Sequence, residues 1–120
     1  MLRLAESNDK ITVVADQYGS PTSSDELAKM ILHIIPTGKY GIYHGTCEGH
    51  TSWYEFAKKI MELAGKTTKI IPVTTEEYTA AVAKRPKYSV LENAKLNSMG
   101  QYRMKNWENA LEWYIEEFIK

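Results

Sequence analysis

Two segments hold the residue types best suited to recognising a ligand. Asp16-Gln17-Tyr18-Gly19-Ser20-Pro21-Thr22 combines an acid, an amide and hydroxyls with a glycine and a proline. Gly19 permits positive φ, Pro21 fixes φ and Thr22 can cap a helix, so the segment reads as a stiff turn. Such a turn either presents Asp16, Gln17 and backbone amides to a ligand or merely joins a strand to a helix. Arg85-Pro86 sets a guanidinium beside a rigid residue. That pair either holds a phosphate through paired hydrogen bonds or simply stops a helix. His44, Cys47, Glu48 and His50 crowd a third segment. Their spacing matches no established metal-ligand pattern, and Cys47 needs a base and an orienting group before it can be a nucleophile. A loop thiol without a chemical role is therefore expected. His33, among apolar residues of a helical stretch, reads as a packing or surface histidine. Tyr54 and Lys58 match Tyr-x-x-x-Lys in letters. They lie in an amphipathic helix, and no G-x-G-x-x-G is present to bring a nicotinamide alongside, so the match reads as accidental.

The elements that must position these residues alternate along the chain. Leu2-Arg3-Leu4-Ala5 reads as the end of a helix without its beginning. Ile11–Val14 is β-branched and predicts a strand running into the Asp16–Thr22 loop. Ser23 and Ser24 are candidate caps of a following helix, in which Leu27, Ala28, Ile31, Leu32 and Ile35 share one face until Pro36 and Gly38. Tyr40–His44 predicts a second strand. Ser52-x-x-Glu55 predicts a capping box, followed by a stripe of Trp53, Phe56, Ala57, Ile60, Met61 and Ala64 that ends at Gly65. Lys69–Val73 predicts a third strand, with Pro72 marking an edge. Thr74-x-x-Glu77 predicts a second capping box and a helix through Ala83. A short helix over Asn93–Met99 and a last one capped by Asn106 complete the pattern, the latter carrying Trp107, Ala110, Leu111, Tyr114, Ile115 and Phe118. Trp53, Trp107 and Tyr114 are expected in the core, and Trp113 falls off the stripe. Strand–helix alternation predicts α/β with parallel strands. Three such strands form either their own small sheet or part of a larger α/β unit.

Composition narrows the classes of function. A chain of 120 residues predicts one domain over 1–120. Lys plus Arg and Asp plus Glu are 15 each, so no basic excess favours nucleic acid or an anionic membrane. No apolar run approaches a membrane span, and no secretory leader is visible. One cysteine excludes an internal disulfide. These features predict a soluble protein of a reducing compartment, the cytoplasm.

Several segments together resemble one family. Asp16-Gln17-Tyr18-Gly19-Ser20-Pro21-Thr22 with Asp25-Glu26-Leu27-Ala28 resembles the D-Q-x-G-x-P-T…L-A stretch of dTDP-4-dehydrorhamnose reductases. Gly41-Ile42-Tyr43-His44 followed by Ser52-Trp53-Tyr54-Glu55-Phe56-Ala57 resembles their G-x-Y-H…S/T-W-x-x-(F/Y)-A stretch. Arg85-Pro86-x-x-Ser89-x-Leu91 resembles R-P-x-x-S-x-L, and Trp107 with Ala110-Leu111 resembles the closing W-x-x-x-L helix. Order and spacing agree over essentially the whole chain.

The resemblance implies the C-terminal, substrate-binding part of an extended short-chain dehydrogenase/reductase. Its fold class would be α/β, with few short strands, several helices and the Rossmann cofactor domain absent. The family reduces dTDP-6-deoxy-L-lyxo-4-hexulose to dTDP-L-rhamnose with NADPH or NADH. The missing N-terminal Rossmann domain would supply the cofactor site and the catalytic Tyr and Lys, so this chain would carry no cofactor and be inert alone. Mg²⁺ at a dimer contact is a further family feature that maps onto no particular residue here. By the same likeness, Gln17, Gly19, Pro21, Thr22, Arg85 and Ser89 would contact the dTDP-sugar. The Gly41–His44 strand would join the Rossmann sheet, so the isolated chain is expected to dimerise or swap elements. Two alternatives remain open: a non-catalytic relative such as a methionine adenosyltransferase regulatory subunit, and a fragment of another sugar-nucleotide epimerase or dehydratase.

Overall fold

The computed structural model describes residues 1–79, 83–100 and 102–120. The chain runs α1 (Leu2–Ala5), β1 (Lys10–Val14), β2 (Tyr18–Gly19), α2 (Ser24–Ile34), β3 (Thr51–Ser52), α3 (Trp53–Leu63), β4 (Lys69–Val73), α4 (Ala94–Ser98) and α5 (Trp107–Phe118). β1 and β4 pair in parallel, with Ile11 opposite Ile70 and Val14 opposite Val73. Parallel neighbours need a long crossover, and the stretch containing α2 and α3 provides it. Among the described residues β4 pairs with β1 alone, so the missing N–H of Pro72 costs no second ladder there. β2 and β3 form a separate antiparallel pair.

α3 forms where its local signals agree. Ser52 Oγ accepts from the Glu55 N–H at 3.1 Å, and Gly65 at φ +64° lets Lys66 N–H reach back to Met61 O at 2.9 Å. The return half of the capping box is not made; the Glu55 carboxylate pairs with Lys58 Nζ at 3.2 Å. α3 lies against β1, β4 and α5. Phe56, Ile60 and Leu63 pack on Trp107, Ala110, Leu111, Ile115 and the buried Cys47. A second cluster joins Met30 of α2 to Leu96 of α4 and to Met104.

Several expectations need correction. Tyr40–His44 is not a strand: no described segment lies beside it to form a ladder, and Tyr40 is 94% exposed and Ile42 86%. The α2 stripe is one face, as its spacing predicts, but that face is outward. Leu32 is 69% exposed, whereas Glu26 and Met30 are the buried positions. Thr74 and Glu77 make both bonds of their capping box, at 2.8 and 3.2 Å, yet they close a turn and no helix follows in the described residues. The expected continuation falls partly on 80–82, outside the described residues. Trp107 is core, as expected; Trp53, Tyr114 and Phe118 are exposed at the rim of α3 and α5. The cause is a thin fold. The extents are 50 × 34 × 19 Å and the radius of gyration is 16.4 Å, against about 13.6 Å for a compact chain of this length. One layer of helices cannot cover both faces of α2.

Glu26 is the least expected core residue. It is 1% exposed, and its Oε2 accepts from Tyr102 OH at 2.8 Å and from Lys105 N–H at 3.0 Å. Its Oε1 has no hydrogen-bond donor, only the Lys29 and Lys105 ammoniums at 3.6 and 3.7 Å. Burial pushes this carboxyl up; the Lys105 amide, the Tyr102 hydroxyl and the two lysines outweigh it and hold it below its ordinary value. The Tyr102 phenol is pushed up to about 12, first by burial and then by Glu26. Glu26 therefore contributes stability in full above the ordinary carboxylate range, and loses it as pH falls through its lowered folded pKa. Tyr102 contributes in full below its ordinary pKa and loses its share as pH rises toward about 12. Urea unfolding should show Glu26→Gln destabilised by about 1–3 kcal/mol at neutral pH, with a flattened acid limb. Tyr102→Phe should flatten the alkaline limb instead.

Candidate functional site

Three remote segments meet at Tyr18. On one side, Tyr18 and Gly19 pair with Ser52 and Thr51. On the other, Tyr18 N–H donates to Lys87 O at 2.8 Å, and Ser89 N–H donates to Tyr18 O at 3.0 Å. Ser89 Oγ donates to the same carbonyl at 3.1 Å. This junction sets the Gln17–Thr22 loop beside the segment that follows Arg85. Gly19 favours that approach: a Cβ there would lie 3.2 Å from Ser89 Oγ, a tight contact. Its φ is not positive, so close packing, and not the turn freedom expected from sequence, explains the residue.

Hydrogen bonds fix the loop on both sides. Asp16 Oδ1 accepts from Thr75 N–H at 2.8 Å and Thr75 Oγ1 at 2.7 Å, while Oδ2 lies 3.5 Å from Lys87 Nζ. The Thr75 hydroxyl is the main cause holding the Asp16 carboxyl below its ordinary value. Gln17 is buried and donates from Nε2 to Thr75 Oγ1 at 3.1 Å. Ser20 Oγ donates to Gly49 O at 2.8 Å. Thr22 Oγ1 donates to Ser20 O at 3.0 Å and accepts from Cys47 N–H at 3.1 Å. Thr22 therefore stitches two loops, while Ser23 caps α2 by accepting from Glu26 N–H at 3.1 Å. Pro21 and Thr22 border an apolar groove of about 1140 Å³ between α1, α3 and α5.

Among the sequence-derived candidates, Gly19 and Ser89 are in direct apposition, and Gln17 and Thr22 are locked beside them. Arg85 and Ser89 are exposed on one segment, and Arg85 forms no ion pair among the described residues. The remaining reactive types are spent elsewhere. Cys47 is 1% exposed and burial pushes its thiol up, which unfits it as a nucleophile. His44 is exposed, and His50 lies edge-on to Tyr88 at 6.3 Å. His33 stacks on Tyr102 at 4.5 Å. Lys58 sits 5.2 Å over the Tyr54 ring on α3. No three His, Cys, Asp or Glu side chains converge as a metal site among the described residues. Sequence reasoning missed Thr75, Asn93 and Glu26 as organisers. Their letters occur at ordinary capping positions, where nothing marks a long-range partner.

Comparison with known proteins places this arrangement. The family profile of the RmlD substrate binding domain matches residues 1–120. The chain belongs to this family. Within curated RmlD-type relatives, it is 44% identical over 117 residues to the spore coat polysaccharide biosynthesis protein SpsK of Bacillus subtilis, covering 98% of this chain and 40% of that protein. It is 39% identical over 123 residues to the dTDP-4-dehydrorhamnose reductase of Aggregatibacter actinomycetemcomitans, covering 92% of this chain and 42% of that protein. Among solved structures, the dTDP-4-dehydrorhamnose reductase of Clostridium acetobutylicum superposes with a TM-score of 0.91 at 43% identity, over 96% of this chain and 41% of that one. The Bacillus anthracis reductase, solved in complex with NADP, gives 0.89 at 44% identity, over 98% and 41%. The chain thus spans about two fifths of the length of these relatives. Its α/β fold, with few short strands and several helices, is that of the family's substrate-binding domain.

The phosphates of a dinucleotide are cradled by a glycine-rich turn from a strand into a helix. The glycines with positive φ, at 38, 41, 49, 65 and 100, end helices or lie in loops, and none joins a strand to a helix start.

Proposed function

We propose that this chain is the sugar-nucleotide side of a dTDP-4-dehydrorhamnose reductase acting in the cytoplasm, with hydride and proton supplied from a separate NADPH-binding domain. The observation that carries the reading is the junction at Tyr18. It aligns the Gln17–Thr22 loop with Ser89, and both belong to segments that resemble the reductases. The chain's part is to bind and orient. The exposed Arg85 meets the diphosphate, and Ser89 and the loop's polar groups meet the adjoining sugar. Loop bonding to Thr75, Gly49 and Cys47 fixes these groups before substrate arrives, which lowers the ordering cost of binding. No helix of the described residues is long and apolar enough to cross a membrane.

Three measurements test this reading. In the full-length enzyme, Arg85→Ala should raise KM for the dTDP-sugar about tenfold or more, as loss of a charge-assisted hydrogen bond would. An unchanged KM would leave Arg85 as a chain stop. The purified 120-residue chain should oxidise no NADPH in the presence of the 4-keto sugar nucleotide; turnover would sink the division of labour. The isolated chain should also self-associate, because the outward α2 face and the unladdered Tyr40–His44 segment are uncovered. Light scattering on a sizing column should show mass rising with concentration, and a strict monomer throughout would count against it.

A further inference from the structure

Asn93 precedes α4 at the position of a capping residue, yet its side chain does not cap that helix. It is 4% exposed, and the amide is turned onto a loop 47 residues away in sequence. Its Oδ1 accepts from Thr46 N–H at 3.0 Å and from Thr46 Oγ1 at 3.4 Å. Its Nδ2 donates to Thr46 O at 2.7 Å and to Glu48 Oε1 at 3.2 Å. The side chain thus grips both backbone groups of one residue, as a neighbouring strand would. The next amide, Cys47 N–H, donates to Thr22 Oγ1 at 3.1 Å, and Thr22 in turn holds Ser20 O. Two residues on, Glu48 N–H donates to Lys105 O and Glu48 O accepts from Trp107 N–H. The 46–48 loop is therefore clamped by Asn93, by Thr22 and by the start of α5.

Asn93 also ends the segment that carries Arg85 and Ser89. The Gln17–Thr22 loop and that segment are consequently joined twice. One joint is the Tyr18–Ser89 backbone exchange, and the other runs from Asn93 through Thr46 and Cys47 to Thr22. A single joint is a hinge, and two joints fix an angle. We propose that Asn93 is a positioning residue, setting the angle between the two walls of the sugar-nucleotide site without touching the ligand. The assignment rests on the function proposed above.

The test uses the full-length reductase and dTDP-sugar kinetics, with Leu96→Ala as a control. Leu96 lies on the same short helix and is 1% exposed, so its truncation destabilises α4 without cutting the clamp. Asn93→Ala should raise KM about five- to tenfold, the scale of one or two buried hydrogen bonds. Leu96→Ala should lower the urea midpoint at least as far and leave KM unchanged. Asn93→Ala combined with Thr22→Val should cost less than the product of the single effects, because both cut one path. An unchanged KM in Asn93→Ala, or an equal rise in Leu96→Ala, overturns the assignment. A wild-type enzyme that does not bind the dTDP-sugar overturns the functional reading itself. Hydrogen exchange at the Cys47 amide then judges the clamp: protection should fall in Asn93→Ala, and retained protection would refute it.

Discussion

Tyr18 gives both of its backbone hydrogen-bonding groups to residues more than sixty positions away, and that exchange sets the Gln17–Thr22 loop beside the segment that follows Arg85. Backbone N–H and C=O groups must be satisfied once a segment leaves water. The N–H and C=O of Tyr18 point away from β3, so the Lys87–Ser89 segment on the other edge satisfies them. A side chain at Gly19 would crowd Ser89, whose Oγ would lie 3.2 Å from the added Cβ. The site is thus a consequence of a backbone requirement, and its side chains decorate a joint that the main chain makes.

Around this joint, polar side chains do what apolar packing does in thicker folds. The two apolar clusters are small and separate, since a fold 19 Å thick offers little interior. Glu26, Asn93, Thr22 and Asp16 instead cross-link loops to one another and to the segment that precedes α5. Such bonds contribute modestly to net stability, but each is costly to leave half made, so together they select one arrangement of the loops. That suits a binding surface, where the angle between segments matters more than total stability.

The outward face of α2 belongs to the same thin design. Its spacing is that of a helix made to be covered, and the described residues cover only the Glu26 and Met30 side. Tyr40–His44 has strand-like composition but no ladder. Both features are coherent in a domain that occupies about two fifths of its relatives' length.

The sequence by itself determined what depends on neighbours within a few positions. The caps at Ser23, Ser52 and Asn106, the reversal at Gly65, the β-branched strands read at Ile11–Val14 and Lys69–Val73, and the family likeness of the Asp16–Thr22 segment were all legible. Local signals failed where a partner was distant or absent. Among the described residues, Thr74 and Glu77 formed their box without a helix following, and the strand pattern at Tyr40–His44 has no ladder. Only the tertiary structure decided that Glu26 is buried while Leu32 is exposed, that Asn93 holds a loop in preference to its own helix, and that Ser89 meets Tyr18. The reason is physical: periodicity shows that a helix has an apolar face but not which face will be covered. A polar letter shows what can be donated or accepted but not to whom. Those choices are made when segments far apart in sequence compete for the same partners.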